Sequence, residues 1–139
     1  MKIKKSVYRQ MLRSFSPAPP ERGGVLGIVD GTVCAYACDE KEDIAVRAAH
    51  RAEEDELKCA LKKWRRKGIT FAGFVHSHPN GQDCLSQGDL RFAERVFGCL
   101  PEETACLYFP LILPDKVICF QIRRFGKKLL IEKKPIEVI

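Results

Sequence analysis

Apolar residues near the start of the chain recur every four positions: Ile3, Val7, Met11 and Phe15, with Tyr8 and Leu12 beside them. That spacing predicts a single amphipathic helix over 2–15, ended by Pro17, Pro19 and Pro20. Two apolar runs, 24–29 and 32–38, are joined by Asp30-Gly31. They predict a β-hairpin, because Asp-Gly tolerates the positive φ angles of a tight turn. Residues 39–53 carry no clear period and read as loop followed by a short strand. A helix is expected over 54–67, with Leu57, Ala60, Leu61 and Trp64 on one side and Gly68 ending it. Residues 69–78 are strand-like, and 86–100 form another amphipathic helix along Leu90, Ala93, Phe97 and Leu100. Segments 107–113 and 117–123 pair as strands about Pro114-Asp115, and 128–131 and 136–139 add edge strands. No internal repeat or low-complexity segment interrupts this order. Strands and helices alternate loosely, as in a mixed α/β or α+β sandwich around one sheet.

Composition narrows the class. The chain has 139 residues, 45% apolar and 30% charged, the balance of one folded domain over 1–139 rather than of a disordered segment. No apolar run approaches the roughly 20 residues needed to span a bilayer. The basic start Met1-Lys2-Ile3-Lys4-Lys5 leads into no apolar signal core, since Arg9, Gln10 and Arg13 interrupt it. A cytoplasmic protein is expected. Its seven cysteines are an odd number and contain no Cys-x-x-Cys pair, so they read as reduced thiols, mostly packed as small apolar residues. A metal site built on cysteine pairs is excluded by the same count.

The net charge of +6 is unevenly spread, with acids at 39–43 and 53–56 and bases at 58–67 and 123–134. Such runs read as solvated faces, or as a surface that attracts an acidic partner. Nucleic acid is disfavoured as a partner, because no zinc-finger, helix-turn-helix or aromatic RNA-binding pattern accompanies the charge.

The chemistry concentrates in Phe74-Val75-His76-Ser77-His78-Pro79 and Ser86-Gln87-Gly88-Asp89. Alternate residues of a strand share a face, so His76 and His78 point the same way. Pro79 ends strand pairing, which suits a site at a sheet edge. Ser86 stands where a helix begins, with Asp89 three residues on. Taken alone, Ser-x-x-Asp is a common helix cap and His-x-His is a weak signal. Together they supply two imidazoles and a carboxylate, which matches catalytic zinc with an open fourth position.

His76-Ser77-His78-Pro79, the six-residue gap and Ser86-x-x-Asp89 resemble the zinc motif of the JAMM (MPN-plus) metallopeptidases. Pro20-Glu21-Arg22-Gly23-Gly24-Val25-Leu26 resembles the segment that bears the catalytic glutamate in short prokaryotic members. The resemblance covers roughly residues 1–100 and implies a JAMM/cytidine-deaminase-like sandwich. It implies one zinc ion (Zn2+) per chain, held by His76, His78 and Asp89, with Glu21 as general base and Ser86 as hydrogen-bond donor to the tetrahedral intermediate. Gly27 departs from the family pattern, which continues with bulkier residues, and is expected to shift the hairpin register. Cys84, two positions before Ser86, is either an idle thiol or one that regulates access to the metal.

The resemblance implies a metallopeptidase or isopeptidase that cuts after the flexible Gly-Gly tail of a ubiquitin-like or sulfur-carrier protein. The alternative is a non-catalytic MPN-type binding or scaffold module. A zinc-dependent nucleobase deaminase is disfavoured, since the chain has neither His-x-Glu nor Pro-Cys-x-x-Cys.

Overall fold

A computed structural model of the chain describes residues 1–15, 23–38 and 54–139. The expectations for Pro17, Pro19, Pro20, Glu21 and the segment 39–53 therefore fall outside the described residues. In chain order the elements are β1 (Lys2–Ile3), α1 (Lys5–Arg13), β2 (Gly23–Val29), β3 (Thr32–Cys38), α2 (Glu54–Arg66), β4 (Thr70–Ser77), α3 (Gln87–Cys99), β5 (Cys106–Ile112), β6 (Val117–Phe125), β7 (Lys128–Lys134) and β8 (Glu137–Val138). Among the described residues eight strands make one mixed sheet, ordered β7-β6-β5-β4-β2-β3-β1-β8. The β4–β5, β1–β3 and β1–β8 pairs are parallel, and the others are antiparallel.

The first helix is shorter than its apolar period predicts. Ile3 lies in β1, between β3 and β8, yet packs into the same cluster as Val7 and Met11, with Phe15 against it. One buried stripe thus runs through strand, helix and the residues beyond, and its spacing alone cannot mark where the helix starts. The hairpin is as expected: Asp30 and Gly31 take φ of 49° and 77°, the paired positive values of a tight two-residue turn. The two expected edge strands do lie at opposite edges of the sheet. On β7, Leu130 and Ile131 are exposed between Lys128 and Lys133-Lys134, charges that discourage edge-to-edge pairing.

Each face of the sheet carries its own core. Helix α1 covers one face, with Met1, Ile3, Val7, Met11, Leu26, Val33, Tyr36, Ala72 and Val75. Helices α2 and α3 cover the other, where Phe71, Phe74, Ala93, Val96, Phe97, Leu107, Phe109, Leu111 and Ile122 meet. Phe71 and Phe74 share this second face although they stand three positions apart, a spacing that breaks strict alternation. The cause is a β-bulge. Leu26 pairs with Gly73 and Gly27 with Phe71, which leaves Ala72 extra in β4. A matching slip between Gly27 and Ile28 leaves Cys34 extra in β3. The register shift expected at Gly27 is present on both sides of β2. Gly27 has its own steric reason, since a Cβ there would press on Ile69, Ala35 and the Trp64 ring of α2.

The bulge sets the phase of everything downstream in β4. With Phe74 facing α3, Val75 faces α1 and His76 faces α3 again. The far end of α3 is anchored by Arg124 of β6. Its guanidinium donates to the carbonyls of Phe97 (2.7 Å), Pro101 (2.7 Å) and Thr104 (3.1 Å) and lies 5.0 Å from the Phe97 ring centre. A cation on the last carbonyls of a helix satisfies acceptors that have no intrahelical donor and complements the helix dipole.

Cys34, Cys59, Cys84, Cys106 and Cys119 are free thiols, and of these only Cys119 is buried, which corrects the expectation of packed cysteines. Burial raises the Cys119 thiol pKa to about 11. Among the described residues no helix is long and apolar enough to cross a membrane.

The bulge is the most demanding backbone feature of β4. Gly73 has φ of 150°, and a Cβ there would overlap the Tyr108 carbonyl of β5. Gly73→Ala is expected to lower the unfolding free energy by about 2–3 kcal/mol. Gly98→Ala, in open space on α3, should stabilise by about 0.5–1 kcal/mol. Denaturant melts of the two variants check this, and equal midpoints would refute it.

Candidate metal centre

The residues picked out by the sequence meet where β4 ends and α3 begins. β4 lies between β2 and β5 rather than at a lateral edge. The expectation that Pro79 marks a sheet edge is therefore corrected: it marks the end of an internal strand. His78 follows the last β4 residue but keeps the strand direction, because its N–H donates to the Ile112 carbonyl at 2.9 Å. His76 and His78 thus stay two positions apart on an extended chain and share a face.

Helix α3 supplies the carboxylate through its cap. The Ser86 Oγ accepts the Asp89 N–H at 3.0 Å, and the Ser86 N–H donates to Asp89 Oδ2 at 2.8 Å. This reciprocal capping box fixes the Asp89 rotamer, and the helix turns that side chain inward with Ala93, Val96 and Phe97. The expected stripe of Leu90, Ala93, Phe97 and Leu100 is rotated so that a buried carboxylate replaces Leu90 at its head.

Asp89 Oδ1 lies 2.8 Å from His76 Nδ1, and Oδ2 lies 3.2 Å from His78 Nε2. All three side chains are buried, with His78 only 1% exposed. Burial by itself would raise the Asp89 pKa. The hydrogen bonds from His76 and His78, the attraction of His76 and the Ser86 N–H outweigh it and hold the carboxyl far below the ordinary range.

The two imidazoles are held by different means. His78 Nδ1 lies 2.9 Å from the Gln82 carbonyl oxygen. A carbonyl only accepts, so Nδ1 carries the hydrogen, and Nε2 faces Asp89 with a proton when the ring is charged and with a lone pair when it is neutral. That carbonyl is aimed by a turn in which Asn80 Oδ1 accepts the Gln82 N–H at 3.2 Å and Gly81 takes a φ of 80°. His76 sits instead among aromatic rings, stacked on Phe92 and edge-on to Phe109. The sequence reading passed over Gln82, Phe92 and Phe109. Asn80-Gly81 was a visible turn signal, and Phe92 lies one helical turn after Asp89, but neither signal alone points to an imidazole.

Among the described residues no group of three or more His, Cys, Asp or Glu side chains is arranged to hold a metal ion as it stands. The separations give the reason. Two ligands of one tetrahedral zinc lie about 3.4 Å apart, from bond lengths of about 2.0–2.2 Å. The 2.8 Å His76–Asp89 contact is a direct hydrogen bond, whereas the 3.2 Å His78–Asp89 separation is close to the spacing of metal ligands. The donor chemistry nonetheless fits a cation. When the His78 ring is neutral, a carboxylate oxygen and an imidazole lone pair face each other out of water, and two acceptors so placed need a proton or a metal between them. Cys84 is exposed, with its sulfur 3.7 Å from the Gln82 amide. Glu21 is outside the described residues.

The family described as prokaryotic homologs of the JAB domain matches residues 4–119. The chain belongs to this family. No curated protein matches it, and solved structures resemble it in fold. The solution structure of a Desulfitobacterium hafniense protein has a TM-score of 0.61 at 21% identity, covering 99% of this chain and 93% of that one. A JAB1/MPN domain protein from Archaeoglobus fulgidus has a TM-score of 0.58 at 19% identity, covering 100% and 99%. A structure described as JAMM, a metalloprotease-like zinc site in the proteasome and signalosome, has a TM-score of 0.56 at 17% identity, covering 100% and 97%. The prokaryotic JAB-domain chain thus has the mixed sheet flanked by helices that its motif implied.

The depressed Asp89 pKa has a measurable sign in metal-free protein. A carboxyl lowered on folding adds stability above its unfolded value of about 3.9, and that stability is lost as pH falls below it. Asp89→Asn should cost about 2–3 kcal/mol near neutral pH, and the gap to wild type should narrow at a pH near 3. Urea melts at the two pH values check this; an undiminished gap in acid would refute it.

Proposed function

We propose that this JAB-domain protein is a zinc metallopeptidase or isopeptidase. The observation that supports it most is the pair of facing acceptors, His78 Nε2 and Asp89 Oδ2, with His78 Nδ1 already committed to the Gln82 carbonyl. His76, His78 and Asp89 would hold the zinc. Bound there, it would lower the pKa of a water molecule toward about 7 and polarise the carbonyl to be cleaved. That a protein of similar fold is described as having a metalloprotease-like zinc site supports the reading of a zinc enzyme.

The chain's own groups divide the remaining work. Glu21, by its match to the family's glutamate, would accept a proton from water and deliver it to the departing amine. Ser86 is compatible with two tasks at once. Its oxygen accepts the Asp89 N–H, which leaves its hydroxyl hydrogen free to donate to a developing oxyanion.

The proposed substrate is the C-terminal Gly-Gly tail of a ubiquitin-like or sulfur-carrier protein. A segment without side chains can approach ligands that are almost wholly buried, where a bulky residue would collide with the surrounding walls. The basic clusters would favour encounter with an acidic carrier. The second reading, a non-catalytic MPN-type scaffold, is favoured by the direct His76–Asp89 hydrogen bond, which satisfies the pair without an ion.

Metal analysis and a cleavage screen of Gly-Gly-tailed fusions separate the two. Near-stoichiometric zinc, lost in His78→Ala, is expected, and a protein that stays metal-free in excess zinc would favour the scaffold. Glu21→Gln should keep its zinc and lose about 10²–10⁴ of turnover. Ser86→Ala should lose about 10²-fold in kcat and about 1 kcal/mol of stability from the cap. Full activity in Glu21→Gln would move the general base to another carboxylate, Glu53 first.

A further inference from the structure

The His76 ring plane needs an explanation that its hydrogen bond does not provide. The torsion that turns an imidazole about its Cβ–Cγ bond is broad, with no sharp staggered wells. A single 2.8 Å contact between Nδ1 and Asp89 Oδ1 leaves considerable freedom of tilt. A metal ligand does not have that freedom, because the nitrogen lone pair lies in the ring plane and the plane must contain the ion.

Three aromatic side chains restrict the tilt. The Phe92 ring lies 5.8 Å from the His76 ring at an interplanar angle of 27°, a stacked arrangement. Phe109 meets it edge-on at 4.8 Å and 82°. Phe92 is itself braced by Phe74, 4.6 Å away at 69°. Phe109 is fully buried in the core, whereas Phe92 is only half-buried. The core therefore accounts for Phe109 without reference to the site, but accounts less fully for Phe92. Phe92 also stands one turn after Asp89, so α3 brings a carboxylate to one nitrogen of His76 and a flat apolar surface to its face.

We infer that Phe92 is a positioning residue, whose ring fixes the plane of the His76 imidazole so that its nitrogen can be directed at an ion shared with His78 and Asp89. The inference rests on the metallopeptidase reading in that His76 is taken to be a ligand. An aliphatic side chain of similar volume would fill the same space without offering a face to stack on.

The test uses wild type, Phe92→Leu and Phe92→Tyr of the full chain. One measurement is zinc affinity, by competition with a chromophoric chelator. The other is the nitrogen-15 shifts of the His76 imidazole in metal-free protein at one slightly alkaline pH. Phe92→Leu is expected to weaken zinc about 10–100-fold, the usual effect of losing a group that orients a ligand. Phe92→Tyr keeps the flat ring and should retain wild-type affinity, although a general loss of packing would not distinguish the two variants in this way. Wild-type affinity in a folded Phe92→Leu overturns the inference. If Phe92→Leu does not fold, Phe92→Met, unbranched and of similar volume, takes its place under the same criterion. If wild type binds no zinc, the metallopeptidase reading falls and the imidazole shifts decide this point separately. Distinct Nδ1 and Nε2 shifts in wild type that converge in Phe92→Leu support the positioning role, and identical spectra overturn it.

Discussion

The Asp89 carboxylate is held from three directions, by His76, by His78 and by the N–H of Ser86. A buried charge is costly unless it is paired and hydrogen-bonded, so each of those partners is a condition for the others. The Ser86 N–H belongs to the start of α3, His76 to the end of β4, and His78 to the loop between them, steadied by the Gln82 carbonyl. One ionised group thereby ties together the strand, the turn and the helix that build the centre. Arg124 fastens the opposite end of the same helix to β6. The helix is held at both ends by polar contacts and along its length by apolar ones.

Much of this was legible in the chain because it is local. The hairpin at Asp30-Gly31, the cap at Ser86 and the shared face of His76 and His78 each depend on residues a few positions apart. What was not legible depends on contacts between distant segments. Nothing near Ile3 says that it will pair with Val33 and Val138 rather than begin a helix. Pro79 shows that a strand stops, but not whether that strand is internal. The aromatic surroundings of His76 draw on β4, β5 and α3 together, and no window of sequence contains all three. The sequence pointed to the polar groups that meet, His76, His78 and Asp89, but not to the walls around them, since short spacings set the former and topology assembles the latter.

The site's functional character turns on how one pair of facing acceptors is satisfied. A proton between them gives a structural tie across the end of a sheet, and a divalent cation gives a Lewis acid in the same place. Both outcomes are compatible with the JAB fold, and a change at one proton-sized position separates an enzyme from a scaffold. The buried setting sharpens the choice, because both groups are largely shielded from bulk solvent.

The bulge at Ala72–Gly73 has a consequence for how this chain can vary in length. In a regular strand, inserting or removing two residues preserves which side chains face which layer. Here one surplus residue already stands between Phe71 and Phe74, and it alone makes His76 look toward α3 instead of α1. Straightening the strand with every residue kept would turn the imidazole into the opposite core, away from Asp89, whereas deleting the surplus residue would leave His76 on its present face. The register of the strand is therefore part of the candidate site: a flawless β-ladder through the same residues would dismantle it without altering His76, His78 or Asp89.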